Sequence, residues 1–433
     1  MDAVTNLPWW GWALIAIGAL ALIMAIASLF FPDFHQPDLT LEADPEPGTP
    51  EFMDLLAEVL NTPVRRGDSA EILQNGDAFF GAMEAAMDAA TTTINFQCYI
   101  WESGKVSDRM IGAMLRARRR GVAVRVHPDA FGAMKFKDED RKRLTDAGVM
   151  LHFFRPLKWY SMVRAHKRSH QRAIVIDGHT AFTGGASVAD KWDGDARNGE
   201  EWRDNMSRFT GELAGGIQAA FANDWVYSCG EILSGPTFFP APAGDDQSED
   251  QPVGVAVVSS PSDTDQPIRL CHWMVFRSAR QRLYISNSYF IPDDRLRAIV
   301  VERAKAGVDV RILVPGGTTD ARPVRRAGHV YYEELLSAGV RLYEYEKTMM
   351  HAKVVVSDGI VAMVGSPNLD ERSMELNEET VLAVRDARFA AAVEKGVVDD
   401  LADAKEMDLV EWQKRPFHAR IIERFSLIMI EQY

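Results

Sequence analysis

The segment from residue 351 to residue 380 contains the side chains best suited to chemistry. His351 and Lys353 stand two positions apart, and the apolar run that follows them ends at Asp358 and Gly359. Because alternate residues of a strand point to the same face, the imidazole and the ammonium are expected side by side. Such a pair suits a phosphate diester, since the imidazole can act as nucleophile or acid while the ammonium holds the anionic oxygens. Asp-Gly between β-branched runs also predicts a hairpin turn.

The same pattern occurs a second time, earlier in the chain, as His170, Arg172 and Asp177. Each of these residues lies 181 positions before its counterpart, and Gly184 keeps the same spacing with Gly365. One copy alone would fit an ordinary strand with a solvated lysine, because such a pattern arises by chance in about one chain in a few tens. A constant spacing over several landmarks indicates an internal duplication instead.

These motifs resemble those of the phospholipase D superfamily, and most of all those of bacterial cardiolipin synthases. The resemblance covers residues 68–425. Beyond the two histidine motifs, it is carried by the segments 201–204, 221–225, 288–293, 364–373 and 376–379. The first half departs from the family pattern at Arg172, where the family has lysine, and at Ser187, where it usually has asparagine.

The resemblance implies two homologous phospholipase D-like α/β domains, packed with pseudo-twofold symmetry around one active site. His170 and His351 would then face each other across a phosphodiester, with His170 as nucleophile and His351 as general acid. The phosphate oxygens would be neutralised by Arg172, Lys353 and Asn368, with Ser187 as a further donor.

Each catalytic histidine needs a carboxylate on its second ring nitrogen to fix the tautomer and orient the ring. By resemblance to the family, Glu379 would serve His351, and Asp204 would serve His170.

The two remaining carboxylates of the motifs, Asp177 and Asp358, stand at predicted strand turns, which indicates a structural role. Since two fixed cations make a metal unnecessary, and no residues show metal-ligand spacing, neither a metal nor another cofactor is expected.

Composition limits the classes of function. The chain has 433 residues with 47% apolar content, which is enough for two domains with cores of their own. Its net charge of −14 argues against nucleic acid as a partner, since a nucleic-acid groove needs a basic surface. The three cysteines are far apart and predict neither a disulfide framework nor a zinc site.

Alternating strand and helix patterns predict an α/β fold that is built twice. We expect a helix over 77–90, a strand over 93–101, and a helix that Ser107 caps and Gly121 ends. The predicted organisation is a transmembrane anchor (1–31), an acidic, proline-rich tether (32–66), a first domain (67–238), a linker (239–252) and a second domain (253–433).

Residues 11–31 carry no charge and are long enough to cross a bilayer as one helix. A retained anchor is favoured over a cleaved signal peptide, because no basic segment precedes the apolar run. We expect a single-pass protein of the bacterial inner membrane with its catalytic part facing the cytoplasm. The positive-inside rule has nothing to count, however, because no lysine or arginine precedes Arg65.

Two further segments bear on the membrane. The segment 154–168 fits either a loop packed on its own domain or an interfacial loop. In the second case, lipid would meet Trp159, Tyr160 and Met162, and anionic headgroups would meet Lys158, Arg164, Lys167 and Arg168. For residues 412–433 we expect a helix that closes the domain rather than a membrane contact.

The resemblance implies a membrane-anchored phosphatidyltransferase that makes cardiolipin from phosphatidylglycerol through a phosphohistidine. Hydrolysis of phospholipids to phosphatidic acid is the alternative, because the outcome depends on how well the pocket excludes water. A catalytically impaired lipid-binding protein is another, since arginine and lysine are not interchangeable at tight sites. The acidic charge and the apolar span disfavour a nuclease. The acceptor alcohol and the oligomeric state do not follow from the sequence.

Overall fold

The computed structural model of the protein describes residues 8–28, 39–42, 45–156, 167–241, 250–260 and 266–430. The α-helices of this part of the chain are α1 (Trp9–Ser28), α2 (Pro50–Val59), α3 (Asn75–Ala89), α4 (Lys105–Arg119), α5 (Asp138–Asp146), α6 (Glu212–Cys229), α7 (Pro267–Ser278), α8 (Asp294–Lys305), α9 (Arg322–Gly328), α10 (Tyr332–Ser337), α11 (Ala387–Leu401), α12 (Leu409–Gln413) and α13 (Phe417–Ile430). Its strands are β1 (Val64–Gln74), β2 (Thr93–Cys98), β3 (Ala123–Pro128), β4 (Met150–Leu151), β5 (Ala173–Ile176), β6 (Thr180–Gly184), β7 (Asn205–Gly211), β8 (Val253–Ser259), β9 (Arg282–Asn287), β10 (Asp309–Pro315), β11 (Arg341–Tyr345), β12 (Lys353–Ser357), β13 (Val361–Gly365), β14 (Glu379–Arg385) and β15 (Ala404–Glu406).

All of these strands belong to one sheet, in the order β15-β11-β10-β9-β12-β13-β14-β8-β1-β7-β6-β5-β2-β3-β4. We call β1 to β7 with their helices the first wing, and β8 to β15 with theirs the second wing. Outward from the central pair, the second wing runs β8-β14-β13-β12-β9-β10-β11 and the first runs β1-β7-β6-β5-β2-β3-β4, which is the same order of elements. The fold is therefore mixed α/β, with the repeated strand order that a duplicated sequence predicts.

One apolar core spans both wings. Helix α6 contributes Leu213, Phe221 and Trp225, and α11 contributes Phe389 and Val393, to a buried cluster that also includes strand residues of both wings. Each of these five side chains is at most 2% exposed. Burying one side chain of this kind stabilises the folded state by about 1.5–3 kcal/mol. The shared core thus fixes the two wings relative to each other.

The predicted tether over 32–66 is wrong for its second part. Helix α2 begins with Pro50 at its first turn and buries Phe52, Met53 and Leu56 against apolar residues of the second wing. Strand β1 then begins at Val64. The acidic and proline residues of this stretch favour an extended chain, but three apolar side chains on one helix face suffice to dock it.

Helix α1 lies largely within the predicted span, 11–31, whose last residues fall outside the described part of the chain. In the residues that the structure describes, no helix has both the length and the hydropathy required to cross a bilayer.

Most of the local predictions in the first wing are confirmed. Helix α3 lies over the predicted 77–90, strand β2 begins at the predicted Thr93 but ends at Cys98 instead of residue 101, and Gly121, with φ of 92°, follows the end of α4 before β3. The predicted cap is wrong, because α4 begins at Lys105 and places Ser107 inside the helix. There, the buried Ser107 hydroxyl accepts a 2.9 Å hydrogen bond from Trp101 Nε1.

The predicted hairpin is also confirmed. Strands β12 and β13 pair antiparallel, and both turn residues, Asp358 and Gly359, have positive φ. At the other end of the second wing, α13 packs on α9, as expected of a helix that closes the fold.

Candidate active site

The two motif histidines stand where the wings meet. The backbone N–H of His170 donates to the carbonyl of Glu378 over 2.9 Å, and that of His351 donates to the carbonyl of Arg203 over 2.7 Å. In both places the segment before the histidine forms a parallel bridge with a segment of the other wing. Each histidine is therefore anchored to the wing that it does not belong to.

Each imidazole also bonds to a carboxylate of the opposite wing. His170 Nδ1 lies 2.9 Å from Glu379 Oε1, and His351 Nδ1 lies 2.8 Å from Asp204 Oδ2. The predicted pairing, Glu379 with His351 and Asp204 with His170, is therefore wrong. The docking of the wings decides which carboxylate reaches which ring, and spacing along the chain carries no information about docking.

The carboxylate of Glu379 is held in its ionised form. It is fully buried and accepts hydrogen bonds from Ser366 Oγ at 2.5 Å and from Asn377 Nδ2 at 3.4 Å, as well as from His170. Burial raises the pKa of Glu379, but its interactions with His170 and Ser366 outweigh burial and bring the pKa below its usual value. Burial, together with the nearby Arg172 guanidinium, lowers the pKa of His170 to about 4. A neutral ring that donates from Nδ1 presents an unprotonated Nε2, the form that a nucleophile needs.

Asp204 has a different environment. Its carboxylate accepts from Trp192 Nε1 at 2.9 Å and from the backbone N–H of Asn205 at 2.8 Å, besides His351. Burial raises the pKa of Asp204 to about 6, against the opposing charge of Lys353. Burial also lowers the pKa of His351 well below its usual value, and Lys353 lowers it further. In the second pair, a carboxyl that titrates near pH 6 thus stands beside a neutral imidazole.

Two buried cations accompany the histidines. Lys353 Nζ donates to Ser288 Oγ at 2.6 Å and to the carbonyl of His351 at 2.7 Å, and burial lowers the pKa of Lys353 to about 7. Arg172 is fully buried and donates from one Nη to the carbonyl of His170. Among the described residues its buried Nε has no hydrogen-bond partner.

The four side chains form one electrostatic cluster. After burial, the charges that lower the pKa of His170 and of His351 include those of both Arg172 and Lys353. His170 itself is among the groups that act on His351. The two motifs therefore contribute to one site rather than to two separate clefts.

A hydroxyl connects Lys353 to the predicted phosphate ligand Asn368. Ser288 Oγ, which accepts from Lys353, donates to Asn368 Oδ1 over 2.9 Å, so the Nδ2 of Asn368 remains to donate to an anion. No role for Ser288 follows from the sequence, although it lies in a family motif. Ser187 occupies the position that corresponds to Asn368. Its side chain is buried, and its hydroxyl accepts a 3.4 Å hydrogen bond from the backbone N–H of Ile100.

The motif aspartates do not bond to the histidines. Asp177 accepts from the backbone N–H groups of residues 91–93, and Asp358 from those of residues 280–282, all over 2.8–2.9 Å. Each carboxylate thus ties its hairpin turn to the start of the neighbouring strand, β2 or β9. This is the structural role that their position at strand turns predicts.

Aromatic side chains flank both histidines, and the sequence analysis did not identify them. Tyr99 lies 5.1 Å from the ring of His170, and Trp192 and Trp202 lie 5.5 and 5.2 Å from that of His351. Trp202 belongs to a family motif and could have been found, whereas nothing in the sequence singles out Tyr99 or Trp192.

Much of the proposed interfacial loop, residues 157–166, lies outside the described residues. Arg168, expected to meet lipid headgroups, is instead 3% exposed and lies 3.6 Å from Asp129, so that expectation is wrong. Arg155 bonds to Glu378 at 3.1 Å, next to the backbone bridge that holds His170.

No group of three or more His, Cys, Asp or Glu side chains suited to a metal ion occurs in the part of the chain that the structure describes.

A duplicated α/β sheet that joins two imidazoles in one basic site defines the phospholipase D class of proteins. The family described as cardiolipin synthase, PLD-like domain, matches residues 83–225 and 274–399. Cardiolipin synthase 2 of Bacillus anthracis is 33% identical over 353 residues, which are 81% of this chain and 68% of that protein. The cardiolipin synthase of Geobacillus kaustophilus is 30% identical over 369 residues, 85% of this chain and 73% of that protein.

The chain therefore belongs to the cardiolipin synthase family of phospholipase D-like proteins, and it is a cardiolipin synthase-like phosphatidyltransferase. Among solved structures, phosphatidylserine synthase of Haemophilus influenzae matches with a TM-score of 0.68 at 16% identity. That match covers 88% of this chain and 98% of the other, and it supports the fold.

Proposed function

We propose that this enzyme transfers the phosphatidyl group of one phosphatidylglycerol to a second, forming cardiolipin and releasing glycerol. The observation that carries the proposal is the pair of imidazoles, each bonded to a carboxylate of the opposite wing. A pair of this kind can divide the reaction into two displacements at one phosphorus atom.

In the first displacement, His170 Nε2 attacks phosphorus. The new P–N bond forms as the bond from phosphorus to the oxygen of the headgroup glycerol breaks. His351 gives its proton to that oxygen, and glycerol leaves. His351 has to be protonated for this step. A phosphodiester anion bound beside Arg172 and Lys353 offsets the cations that lower the pKa of His351, so substrate binding favours uptake of the proton.

In the second displacement, the hydroxyl of the second phosphatidylglycerol attacks the phosphohistidine. Its proton passes to His351, the P–N bond breaks, and His170 returns to its neutral form with the Nδ1–H on Glu379. The cations and the amide of Asn368 stabilise the phosphate oxygens throughout. Loss of one such preorganised donor typically costs about 10²–10³ in rate.

Arg172 supports a working site rather than an impaired one. Its guanidinium is fully buried, bonds to the carbonyl of His170, and keeps a donor that has no partner among the described residues. An always-charged, planar group in this position can hold a phosphate oxygen.

We further propose that residues 11–31 anchor the enzyme in the bacterial inner membrane with its catalytic part facing the cytoplasm. Helix α1 contains no charged residue, and its exposed apolar side chains, at 56–63% exposure, include Leu14, Ile17, Leu20, Leu22 and Ile23. Water-exposed apolar surface of this extent suits a lipid environment. Deletion of residues 1–31 should release the protein from washed membranes.

The test of the activity is to supply the purified full chain with phosphatidylglycerol that carries a label in its headgroup glycerol. We expect cardiolipin and free labelled glycerol in equal amounts. Phosphatidic acid as the main product would make the enzyme a phospholipase D. Binding of lipid without turnover would make it an impaired lipid-binding protein.

A further inference from the structure

A lysine amine rests on the aromatic wall beside His351. Lys191 Nζ lies 4.7 Å from the ring centre of Trp192 and 4.2 Å from that of Trp202, the two indoles that flank His351. After burial and Lys353, the charge of Lys191 is among those that lower the pKa of His351. The amine therefore stands at the edge of the active site, on the His351 side.

The backbone around this lysine is fixed. The carbonyl of Lys191 accepts a 2.7 Å hydrogen bond from the backbone N–H of Trp202. The carboxylate of the preceding Asp190 accepts from the backbone N–H groups of Lys105 and Val106, at the start of α4. A cation held over aromatic faces gains about 0.5–2 kcal/mol from the rings. The amine is thus positioned in advance rather than ordered by a ligand.

Its charge is not neutralised locally. Lys191 is half-buried, and within the described ranges no carboxylate lies within 4 Å of its amine. The acids that act on it from farther away have partners of their own, since Glu102 pairs with Lys135 and Asp320 accepts from the hydroxyl of Tyr289. A partly desolvated ammonium of this kind favours an anion in its vicinity.

The duplication places a second cation at the corresponding position. Arg372 lies 181 residues after Lys191, the spacing that relates His170 to His351. Burial raises the pKa of Tyr99, which flanks His170, and the charge of Arg372 is among those that oppose this rise. Outside the central cations, Lys191 therefore acts on the side of His351, and Arg372, together with Arg168, acts on the side of His170.

We propose that Lys191 binds the phosphate of the acceptor phosphatidylglycerol and so favours an anionic lipid acceptor over water or a neutral alcohol. This inference rests on the proposed function, in which His351 protonates the leaving glycerol and then deprotonates the acceptor. In-line attack brings the acceptor in from the side that glycerol has left, which is the side of His351. Only the glycerol carbons separate the acceptor hydroxyl from its own phosphate, so that phosphate lies close to His351, where Lys191 stands.

The experiment measures how the phosphatidyl group divides between competing acceptors. Wild type and Lys191→Met are given phosphatidylglycerol in mixed micelles with ethanol, and cardiolipin, phosphatidylethanol and phosphatidic acid are quantified. Methionine keeps the apolar stem against the indoles but loses the charge. We expect the ratio of cardiolipin to phosphatidylethanol to fall about tenfold, the usual loss for one charged hydrogen bond. Lys191→Arg should restore the ratio, because arginine also stacks on indoles.

Lys135→Met is the matched control. It removes a nearby positive charge whose amine bonds to Glu102 at 3.2 Å, and it should keep the wild-type ratio. An unchanged ratio in Lys191→Met, or an equal fall in both variants, would overturn the inference. A fall in Arg372→Met alone would also overturn it, by placing the acceptor on the side of His170. If the wild type makes no cardiolipin, the proposed function itself fails and the inference falls with it.

Discussion

The two histidines occupy corresponding positions in a duplicated fold, yet the carboxylates that hold them differ. Glu379 accepts a hydrogen bond from the hydroxyl of Ser366, whereas the corresponding position beside Asp204 is Gly185. A Cβ at Gly185 would lie 2.3 Å from the carboxylate of Asp204, so no serine fits there. The carboxylate with the extra donor has a lowered pKa, and the other has a pKa raised by burial to about 6. Duplication therefore preserved the ring positions while the environments diverged.

The two motif cations, Arg172 and Lys353, also have different surroundings. The strand registers place Tyr99 in the first wing where the second has Ser288, which connects Lys353 to the amide of Asn368. Both cations donate to the carbonyl of their own histidine, Arg172 to that of His170 and Lys353 to that of His351. Only the second wing adds, among the described residues, a hydroxyl that connects its cation to an amide, because the first wing has Tyr99 at that position. This divergence fits a site in which one histidine attacks and the other transfers protons.

Removing either ring should have the largest effect, and a different one for each. His170→Ala should abolish both cardiolipin formation and the trapped phosphoenzyme, because no nucleophile remains. His351→Ala should lower synthesis from phosphatidylglycerol by about 10²–10⁴-fold, the usual contribution of an acid–base group. With a p-nitrophenyl phosphodiester, whose leaving group needs no proton, His351→Ala should still give the phosphoenzyme after acid quenching and mass spectrometry.

The opposite pattern, a phosphoenzyme in His170→Ala with the activated substrate, would reverse the two roles. A normal synthase rate in His351→Ala would contradict the mechanism altogether.

Breaking the carboxylate contacts across the wings should have the next largest effect. Glu379→Gln should cost about 10²–10³ in kcat, because Glu379 stabilises the positive charge that His170 gains as it attacks. Asp204→Asn should cost less, because His351 gives up its proton, and with it its positive charge, in the same step. A double-mutant cycle on kcat/KM should couple Glu379 to His170 and Asp204 to His351. Coupling of Asp204 to His170 instead would mean that the wings dock differently in the working enzyme.

The pH profile sharpens the comparison between the cations. Lys353, with its pKa lowered to about 7, is charged below that pH and loses its proton above it. Because the neutral amine cannot hold an anion, kcat/KM should fall by up to about tenfold per pH unit above pH 7. The profile of kcat should fall only at higher pH, since bound phosphate stabilises the ammonium. In Lys353→Arg the fall near pH 7 should disappear, and its persistence would assign it to another group.

A smaller effect is expected when the first cation is made to match the second. Arg172→Lys restores the residue found at the corresponding position of the second wing and keeps a positive charge in the site. We expect kcat/KM to stay within about tenfold of wild type or to improve, against a loss of about 10²–10³ for Arg172→Met. Complete loss in Arg172→Lys would mean that the pocket is shaped around the guanidinium.

Sequence patterns predicted the local features and the repeated features of the molecule. The features that depend on how the two wings dock could not be predicted from them. The spacing of 181 residues identified His170 and His351, and the Asp-Gly turn gave the hairpin of β12 and β13. The pairing of Glu379 with His170 depends on contacts between wings, which no spacing encodes. Phe52, Met53 and Leu56 stand near prolines and acidic residues in the sequence. For that reason the sequence predicted a tether where the structure has a docked helix. Trp192 lacked any motif, and its role beside His351 follows only from packing.

The smallest effects on activity, and the clearest ones on stability, are expected from the two motif aspartates. Asp177→Ala or Asp358→Ala removes the acceptor of three backbone N–H groups and should destabilise the fold by about 1–3 kcal/mol. The loss should be larger for Asp358→Ala, because Asp358 is 9% exposed whereas Asp177 is half-buried. Urea unfolding, with kcat measured on the folded fraction, tests both; a large loss of kcat without a loss of stability would instead give these carboxylates a part in the chemistry.

The pH dependence of stability tests the turn at Asp177. Burial opposes ionisation of Asp177, but the N–H groups of residues 91–93 outweigh it and bring its pKa below the ordinary 3.8. The folded state therefore binds fewer protons than the unfolded state near that pH, so the stabilisation is present above about pH 4 and is lost as the pH falls through the folded pKa. Asp177→Asn should remove this loss, and a wild-type slope in the variant would assign it to other carboxylates.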